Sequence, residues 1–225
     1  MLASVRKQFV LLSNPKTGTS ALEAAFGRFA DIRIGRSPQW KHLDYDRMTA
    51  IFGDYFQRQG CTIYGVARHP IDTLISWYRY RSRAALLAKK PDHYTGDIPF
   101  SRFCEEWATS ASPRARVPVS VQWCMTADRR PAPITFYRYE DLGLLHQALC
   151  RHVGRTVELG TRNVSPNRPI DMDRASVMAL PRMQRLIALY DSIPFAVGAM
   201  DAARSHPAAE PAQPGSRAKA ARSRS

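Results

Sequence analysis

Three consecutive segments decide the fold: Gln8-Phe9-Val10-Leu11-Leu12-Ser13-Asn14, then Pro15-Lys16-Thr17-Gly18-Thr19-Ser20, then Ala21-Leu22-Glu23-Ala24-Ala25-Phe26. The first is a short apolar run with β-branched and aromatic members, the pattern of a buried strand. The second is rich in turn formers. The third is strongly helix-prone, and Leu22, Ala25, Phe26 and Phe29 fall on one face at helical spacing. The chain thus opens as strand, loop, helix.

The same alternation continues outward. Cys61 to Ala67 reads as a second strand, followed by a helix that starts near Pro70 and runs through Leu74, Trp77 and Tyr78 to about Leu87. Pro133 to Tyr139 reads as a third strand. Helical patterns recur at Pro99 to Thr109, Asp141 to Val153 and Asp173 to Tyr190, and Pro181 either starts a fresh helix or kinks the last of these. Strands alternating with helices predict an α/β fold with a mainly parallel sheet.

The composition sets outer limits. Hydrophobic residues make up 44% of the 225, which excludes a globally disordered chain. The formal charge of +14 calls for anionic partners: nucleic acid, a phosphorylated cofactor, an acidic polysaccharide or an anionic membrane surface. From His206 the composition shifts to Ala, Pro, Ser and Arg, with Arg217, Lys219, Arg222 and Arg224 set against Glu210 alone. Residues 206–225 are therefore expected to be a disordered basic tail on a single domain spanning 1–205. Most of the positive charge lies in that domain. Cys61, Cys104, Cys124 and Cys150 form no CxxC pair, which suggests neither a zinc ribbon nor a disulfide framework. No run is long enough for a signal-peptide core or a transmembrane helix, so the expectation is a cytoplasmic protein.

Two constellations carry chemistry. In the loop after the first strand, backbone N–H groups at a helix N-terminus attract anions. Gly18 permits close approach of the backbone. Thr17, Thr19 and Ser20 add hydroxyls and Lys16 adds a mobile positive charge. This outlines a phosphate cradle, although a Walker A loop would need two glycines five apart with the lysine after the second. The same residues would also make a plain loop with a Thr or Ser helix cap. The second constellation, Arg68, Pro70, Asp72 and Ser76, follows the second strand directly. Arg68 would sit at the carboxyl end of that strand, where α/β folds place ligands, and Ser76, two helical turns on, could join it on a phosphate. Taken alone, these residues also read as an exposed arginine and a helix-capping aspartate.

Together the two segments closely resemble the cofactor-binding signature of sulfotransferases that use 3′-phosphoadenosine 5′-phosphosulfate. That family carries a PKxGTT or PKTGTS loop for the 5′-phosphosulfate and an RNPxDxxxSxY motif for the 3′-phosphate. Here they read Pro15 to Ser20 and Arg68-His69-Pro70-Ile71-Asp72-Thr73-Leu74-Ile75-Ser76-Trp77-Tyr78, with His69 in place of the usual asparagine. Tyr139-Glu140-Asp141-Leu142 resembles the family's YEDL element. Gln122-Trp123, Arg162-Asn163-Val164-Ser165 and Tyr190-Asp191 with Phe195 and Gly198 extend the similarity over most of residues 8–200. The resemblance implies a P-loop NTPase-like three-layer α/β/α sandwich. It also implies that Lys16, Thr17, Gly18, Thr19, Ser20, Arg68 and Ser76 hold the cofactor.

An acceptor hydroxyl must lose its proton as it attacks sulfur, and histidine is the commonest such base. Of six histidines, His42 lies between the two cofactor motifs, in Trp40-Lys41-His42-Leu43. Family members often carry their base in that interval, so His42 is the expected catalytic base, ahead of Asp44 and Asp46. Lys16 is expected to neutralise charge on the departing phosphate without a metal. The expected acceptor is a hydroxyl on a carbohydrate or glycolipid. Arg79, Arg81, Arg83, Lys89, Lys90, Arg114, Arg116, Arg129 and Arg130 would suit an anionic glycan or lipid-linked sugar if they line a cleft, and would otherwise be solvated helix faces. Two other classes stand beside this one. A P-loop nucleotide kinase would need a full Walker A loop and a magnesium-holding acid, for which Glu140-Asp141 is a vague candidate. A nucleic-acid-binding module fits the charge but shows no recognisable signature, so no specific nucleic-acid partner is expected.

Overall fold

The computed structural model describes residues 1–160 and 166–196. Arg162 to Ser165, Gly198 and the expected basic tail lie outside the described residues. Five strands form one sheet: β1 (Leu2–Ser4), β2 (Phe9–Leu11), β3 (Ile32–Arg33), β4 (Thr62–Ala67) and β5 (Thr135–Arg138), in the order β3-β1-β2-β4-β5. β2 pairs in parallel with β4, and β4 with β5; β1 is antiparallel to both of its neighbours. Four strands therefore point one way and β1 alone is reversed. The β1–β2 hairpin and the short β3 add an edge that the sequence reading did not anticipate.

Side-chain alternation along the strands builds the two faces. Phe9, Leu11, Tyr64, Val66 and Tyr137 pack with Leu22 and Phe26 of α1 (Thr19–Phe26) and with Leu145, Ala148, Leu149 and Val153. On the other face Val10, Leu12 and Ile63 pack with Leu43, Met48 and Phe56. These come from the segment that carries α2 (Pro38–Lys41), α3 (Tyr45–Phe52) and α4 (Tyr55–Arg58). Ala67 and Phe136 extend this second face onto α5 (Pro70–Arg81), which is followed by α6 (Ala84–Lys89) and α7 (Phe100–Thr109). α8 (Leu142–Val153) closes the first face, and α9 (Arg174–Met178) and α10 (Pro181–Asp191) close the second. The expected α/β/α sandwich is what the chain forms.

Two helix boundaries differ instructively from the expectation. The helix expected to run to about Leu87 ends at Arg81 because its last carbonyls find other donors: Thr95 Oγ1 donates to Tyr78 O at 2.7 Å, and the Thr95 amide to Arg81 O at 3.3 Å. The chain restarts as α6. The segment from Asp173 divides into α9 and α10, with Asp173 capping the first by accepting from the Ser176 amide at 2.9 Å and Pro181 opening the second.

Candidate functional site

The three parallel strands β2, β4 and β5 each lead at their carboxyl ends into a segment of the candidate site. After β2 the chain turns through Asn14, whose side-chain amide donates to Val66 O at 2.8 Å, and Thr17, whose hydroxyl donates back to Asn14 O at 2.7 Å. Lys16 and Gly18 both have left-handed backbone, at φ 63° and 72°. At Gly18 glycine is required twice over. Its φ is costly for any residue with a Cβ, and a Cβ would meet Leu142 Cδ1 at 2.9 Å and the Tyr139 ring at 3.2 Å. Gly18 is also the N-cap of α1, and no side chain caps that helix. The alternative of a Thr or Ser cap is thus overturned: the Ala21 amide turns back to Gly18 O at 3.1 Å, and no side chain takes the Thr19 and Ser20 amides.

Arg68 follows β4 directly and crosses to the loop. Its Nη1 donates to Lys16 O at 3.1 Å, and its guanidinium lies over the Tyr139 ring, 4.0 Å from the centroid. Its backbone is gripped by two buried hydroxyls. The Arg68 amide donates to Ser120 Oγ at 3.3 Å, and Thr73 Oγ1 lies 3.0 Å from Ser120 Oγ and 3.4 Å from Arg68 O. Arg68 Nε is buried and has no hydrogen-bond partner, an arrangement that costs free energy unless a ligand supplies the acceptor. Ser76 lies one turn beyond Thr73 on the same face of α5, is buried, and its hydroxyl makes no hydrogen bond among the described residues.

Lys16 lies across two aromatic faces, with Nζ 5.2 Å from the Trp77 centroid and 4.2 Å from that of Tyr80. Burial, and then the charges of Arg83 and Arg68, push its pKa down to about 7. Among the described residues, no carboxylate lies in ion-pair distance of Lys16 or Arg68. Two cations are thus held together with no anion between them, a configuration that repels itself until an anion arrives.

His42 reaches the same strand end from the turn just after α2. Its Nδ1 is 2.5 Å from Ser13 O, and its own carbonyl accepts from Trp123 Nε1 at 2.8 Å. A ring nitrogen facing a carbonyl must carry the proton, so Nε2 keeps its lone pair. Burial lowers the His42 pKa below the usual histidine value, and the nearby Lys41 charge adds to this. The two neighbouring acids have other tasks: Asp44 caps α3 by accepting from the Arg47 amide at 2.8 Å, and Asp46 accepts from the Ala127 amide at 2.6 Å.

The structure therefore gathers Lys16, Thr17, Gly18, Thr19, Ser20, Arg68 and His42 at one end of the sheet. Thr17 is not a solvent-facing donor, because its hydroxyl is spent on Asn14. His69 packs on Tyr190, ring centroids 5.3 Å apart, and Asp72 takes both guanidinium nitrogens of Arg174, at 2.7 and 3.3 Å. Several of the arginines considered for an acidic acceptor turn inward instead. Arg81 donates to the carbonyls of Pro113 and Arg114 at 2.9 and 2.5 Å, Arg79 to Arg168 O at 3.1 Å, and Arg114 pairs with Asp97 and Glu106 at 3.0 and 3.3 Å. Thr73, Ser120 and Trp123 hold Arg68 and His42 in place, a role that local sequence did not assign to any of them; Trp123 was quoted only as part of a resembling pair. Thr73 sat inside the motif as an unassigned position, and Ser120 carried no signal at all.

No family model matches the chain, and no curated protein matches it. A solved structure of mouse sulfotransferase SULT7A1 complexed with PAP overlaps it with a TM-score of 0.39 and 16% identity, over 88% of this chain and 70% of that one. An overlap of that quality assigns no activity to this chain. Among the described residues, no group of three His, Cys, Asp or Glu side chains is placed to hold a metal, and no helix is long and apolar enough to cross a membrane. All four cysteines are free thiols.

Proposed function

We propose that the chain transfers a sulfuryl group from 3′-phosphoadenosine 5′-phosphosulfate to an acceptor hydroxyl. One observation carries the reading. Lys16 and Arg68, brought from the ends of adjacent parallel strands, meet at an uncapped helix N-terminus without a carboxylate between them, and Arg68 Nε is buried and unpartnered. These residues fit a doubly anionic nucleotide. The α1 amides, Lys16 and the Ser20 hydroxyl would hold the 5′ side, and Arg68 with Ser76 the 3′-phosphate.

Bound there, the donor supplies an activated sulfuryl group whose leaving group is a phosphate. The acceptor oxygen forms the new bond to sulfur while the bridging bond to the phosphate breaks, and the hydroxyl proton passes to Nε2 of His42. The Ser13 carbonyl, which fixes the Nδ1 proton, keeps that nitrogen ready. Lys16, leaving its aromatic shelf, answers the negative charge that grows on the phosphate. Arg68 and Ser76 fix the nucleotide for in-line attack. The acceptor proposed is a carbohydrate or lipid-linked sugar hydroxyl. An acidic group on it has no reader in Arg79, Arg81 or Arg114, which are committed within the protein.

The test is calorimetric titration with 3′-phosphoadenosine 5′-phosphate and, separately, with ATP, both without magnesium. The reading expects tight binding of the first and weak binding of the second. Absence of binding, or a preference for ATP that requires magnesium, overturns it in favour of a phosphotransferase.

A further inference from the structure

Beneath the loop lies a ring of polar contacts that no sequence motif marks. Glu23, on α1, accepts from Ser13 Oγ at 2.5 Å through one oxygen and pairs with Lys41 Nζ at 3.2 Å through the other. Lys41 Nζ also donates to Ser20 Oγ at 3.0 Å. Lys41 precedes His42, and His42 returns to Ser13 through its Nδ1 contact. The path Ser13, Glu23, Lys41, His42 and back to Ser13 is closed, and Ser20 hangs from it. The Glu23 and Lys41 side chains are only 16% and 26% exposed, so solvent screens the pair incompletely.

We propose that Glu23 and Lys41 are a positioning pair that sets the Ser20 hydroxyl toward the donor and the His42 ring toward the acceptor. The chemistry follows from what each group can do. An ammonium only donates, so Lys41 occupies a lone pair of Ser20 Oγ and leaves the Ser20 proton to point at an anion. Without Lys41 the hydroxyl could turn its proton to the nearby carboxylate. Glu23 is a carboxylate five residues into an anion-binding helix, where it opposes the ligand's charge. Lys41, together with the Met1 amino group 3.5 Å from the other carboxylate oxygen, offsets that charge, and the Ser13 hydroxyl anchors the carboxylate against the strand that carries the His42 contact. The donor half of this inference rests on the proposed function; the His42 half does not.

Four charged or polar groups face His42: the adjoining Lys41 at the end of α2, Glu23 from α1, the Met1 amino group and the Ser13 carbonyl. Lys41 and the Met1 amino group disfavour the imidazolium, while Glu23 and the carbonyl favour it. Glu23→Gln and Lys41→Met should therefore move the His42 titration, read from its imidazole resonances in the full chain, in opposite directions, down and up respectively. If the residues served only packing, both variants would loosen the ring and move the titration the same way, which overturns the pair's role on His42.

The donor half is read by calorimetry with 3′-phosphoadenosine 5′-phosphate. Lys41→Met should cost roughly tenfold in affinity, of the order of one charge-assisted hydrogen bond, and Lys41→Arg should restore most of it. Adding Ser20→Ala to Lys41→Met should cost almost nothing further, because the hydroxyl is already misdirected. Independent, additive losses sink the link between Lys41 and Ser20. If the unmodified protein does not bind the nucleotide, the donor half falls with the function it rests on, and the His42 titration still decides the other half.

Discussion

Two arginine-bearing regions sit at opposite ends of α5, and they use the same side chain for opposite purposes. At its C-terminal end, Arg81 is 7% exposed and its guanidinium is filled by the carbonyls of Pro113, Arg114 and Arg116. Nearby, Arg168 donates to the carbonyls of Thr95, Gly96 and Ile98 while lying over the Tyr78 ring. These arginines staple irregular segments that have no sheet or helix partners of their own. Just before the helix N-terminus, Arg68 is half-buried, spends one nitrogen on Lys16 O, and leaves Nε buried without an acceptor. A guanidinium whose two terminal nitrogens are spent on backbone carbonyls is a structural clamp. One with a buried donor unused, beside a lysine that has no carboxylate partner among the described residues, is the arrangement on which the proposed function rests.

That contrast can be broken or sharpened by experiment, starting where the expected effect is largest. His42→Ala should lower kcat by about 1,000-fold, within the range for loss of a general base, while calorimetric affinity for 3′-phosphoadenosine 5′-phosphate holds; full turnover would move the base elsewhere. Lys16→Ala should lower the rate of transfer by about 100-fold or more, with a much smaller loss of nucleotide affinity. Equal losses in both would remove its transition-state role.

Arg68→Ala should weaken that nucleotide by roughly 10- to 100-fold, the worth of a charge-assisted contact. It should hardly change the affinity of an analogue lacking the 3′-phosphate. An equal loss for both ligands would mean that Arg68 only braces the loop. Arg81→Met should do the reverse. Three carbonyls lose their donor, so stability should fall by about 2 kcal/mol in a denaturant titration, with nucleotide affinity unchanged. A drop in affinity without a drop in stability would place Arg81 in the site after all.

The smallest expected effect is on pH. Lys16 has its pKa pushed down to about 7 in the ligand-free protein, so it carries its charge below that pH and loses it above. Nucleotide affinity should therefore weaken as pH rises through about 7, with a proton taken up on binding, and Lys16→Arg should flatten the profile. Turnover should show the opposite limb, falling as pH drops below the lowered pKa of His42 because Nε2 is then protonated.

The strand–loop–helix opening was legible because each part is coded locally: apolar run, turn formers, helix formers. The same holds for β4 with α5, β5 with α8, and the break at Pro181. The β1–β2 hairpin was not legible, since Leu2 to Ser4 is too short to show a period. The end of α5 was hidden because Thr95, distant in sequence, takes its last carbonyls. Among the candidate site residues, Lys16, Gly18 and Arg68 could be named from their positions after strands. Ser120 could not, and Trp123 was quoted without a role, because what marks both is a hydrogen bond to a residue far along the chain.

The sequence by itself determined most of the segments that become strands and helices, and that each of two basic motifs follows a strand. Both follow from local propensity and spacing. Only the tertiary structure decided which of the many cations are available to a ligand. Charge is a property of a residue, but availability depends on which carbonyls and carboxylates the fold brings within reach. Arg81 and Arg68 lie thirteen residues apart with identical side chains. One meets a row of carbonyls that need donors, and the other meets a glycine turn that leaves a buried nitrogen without an acceptor.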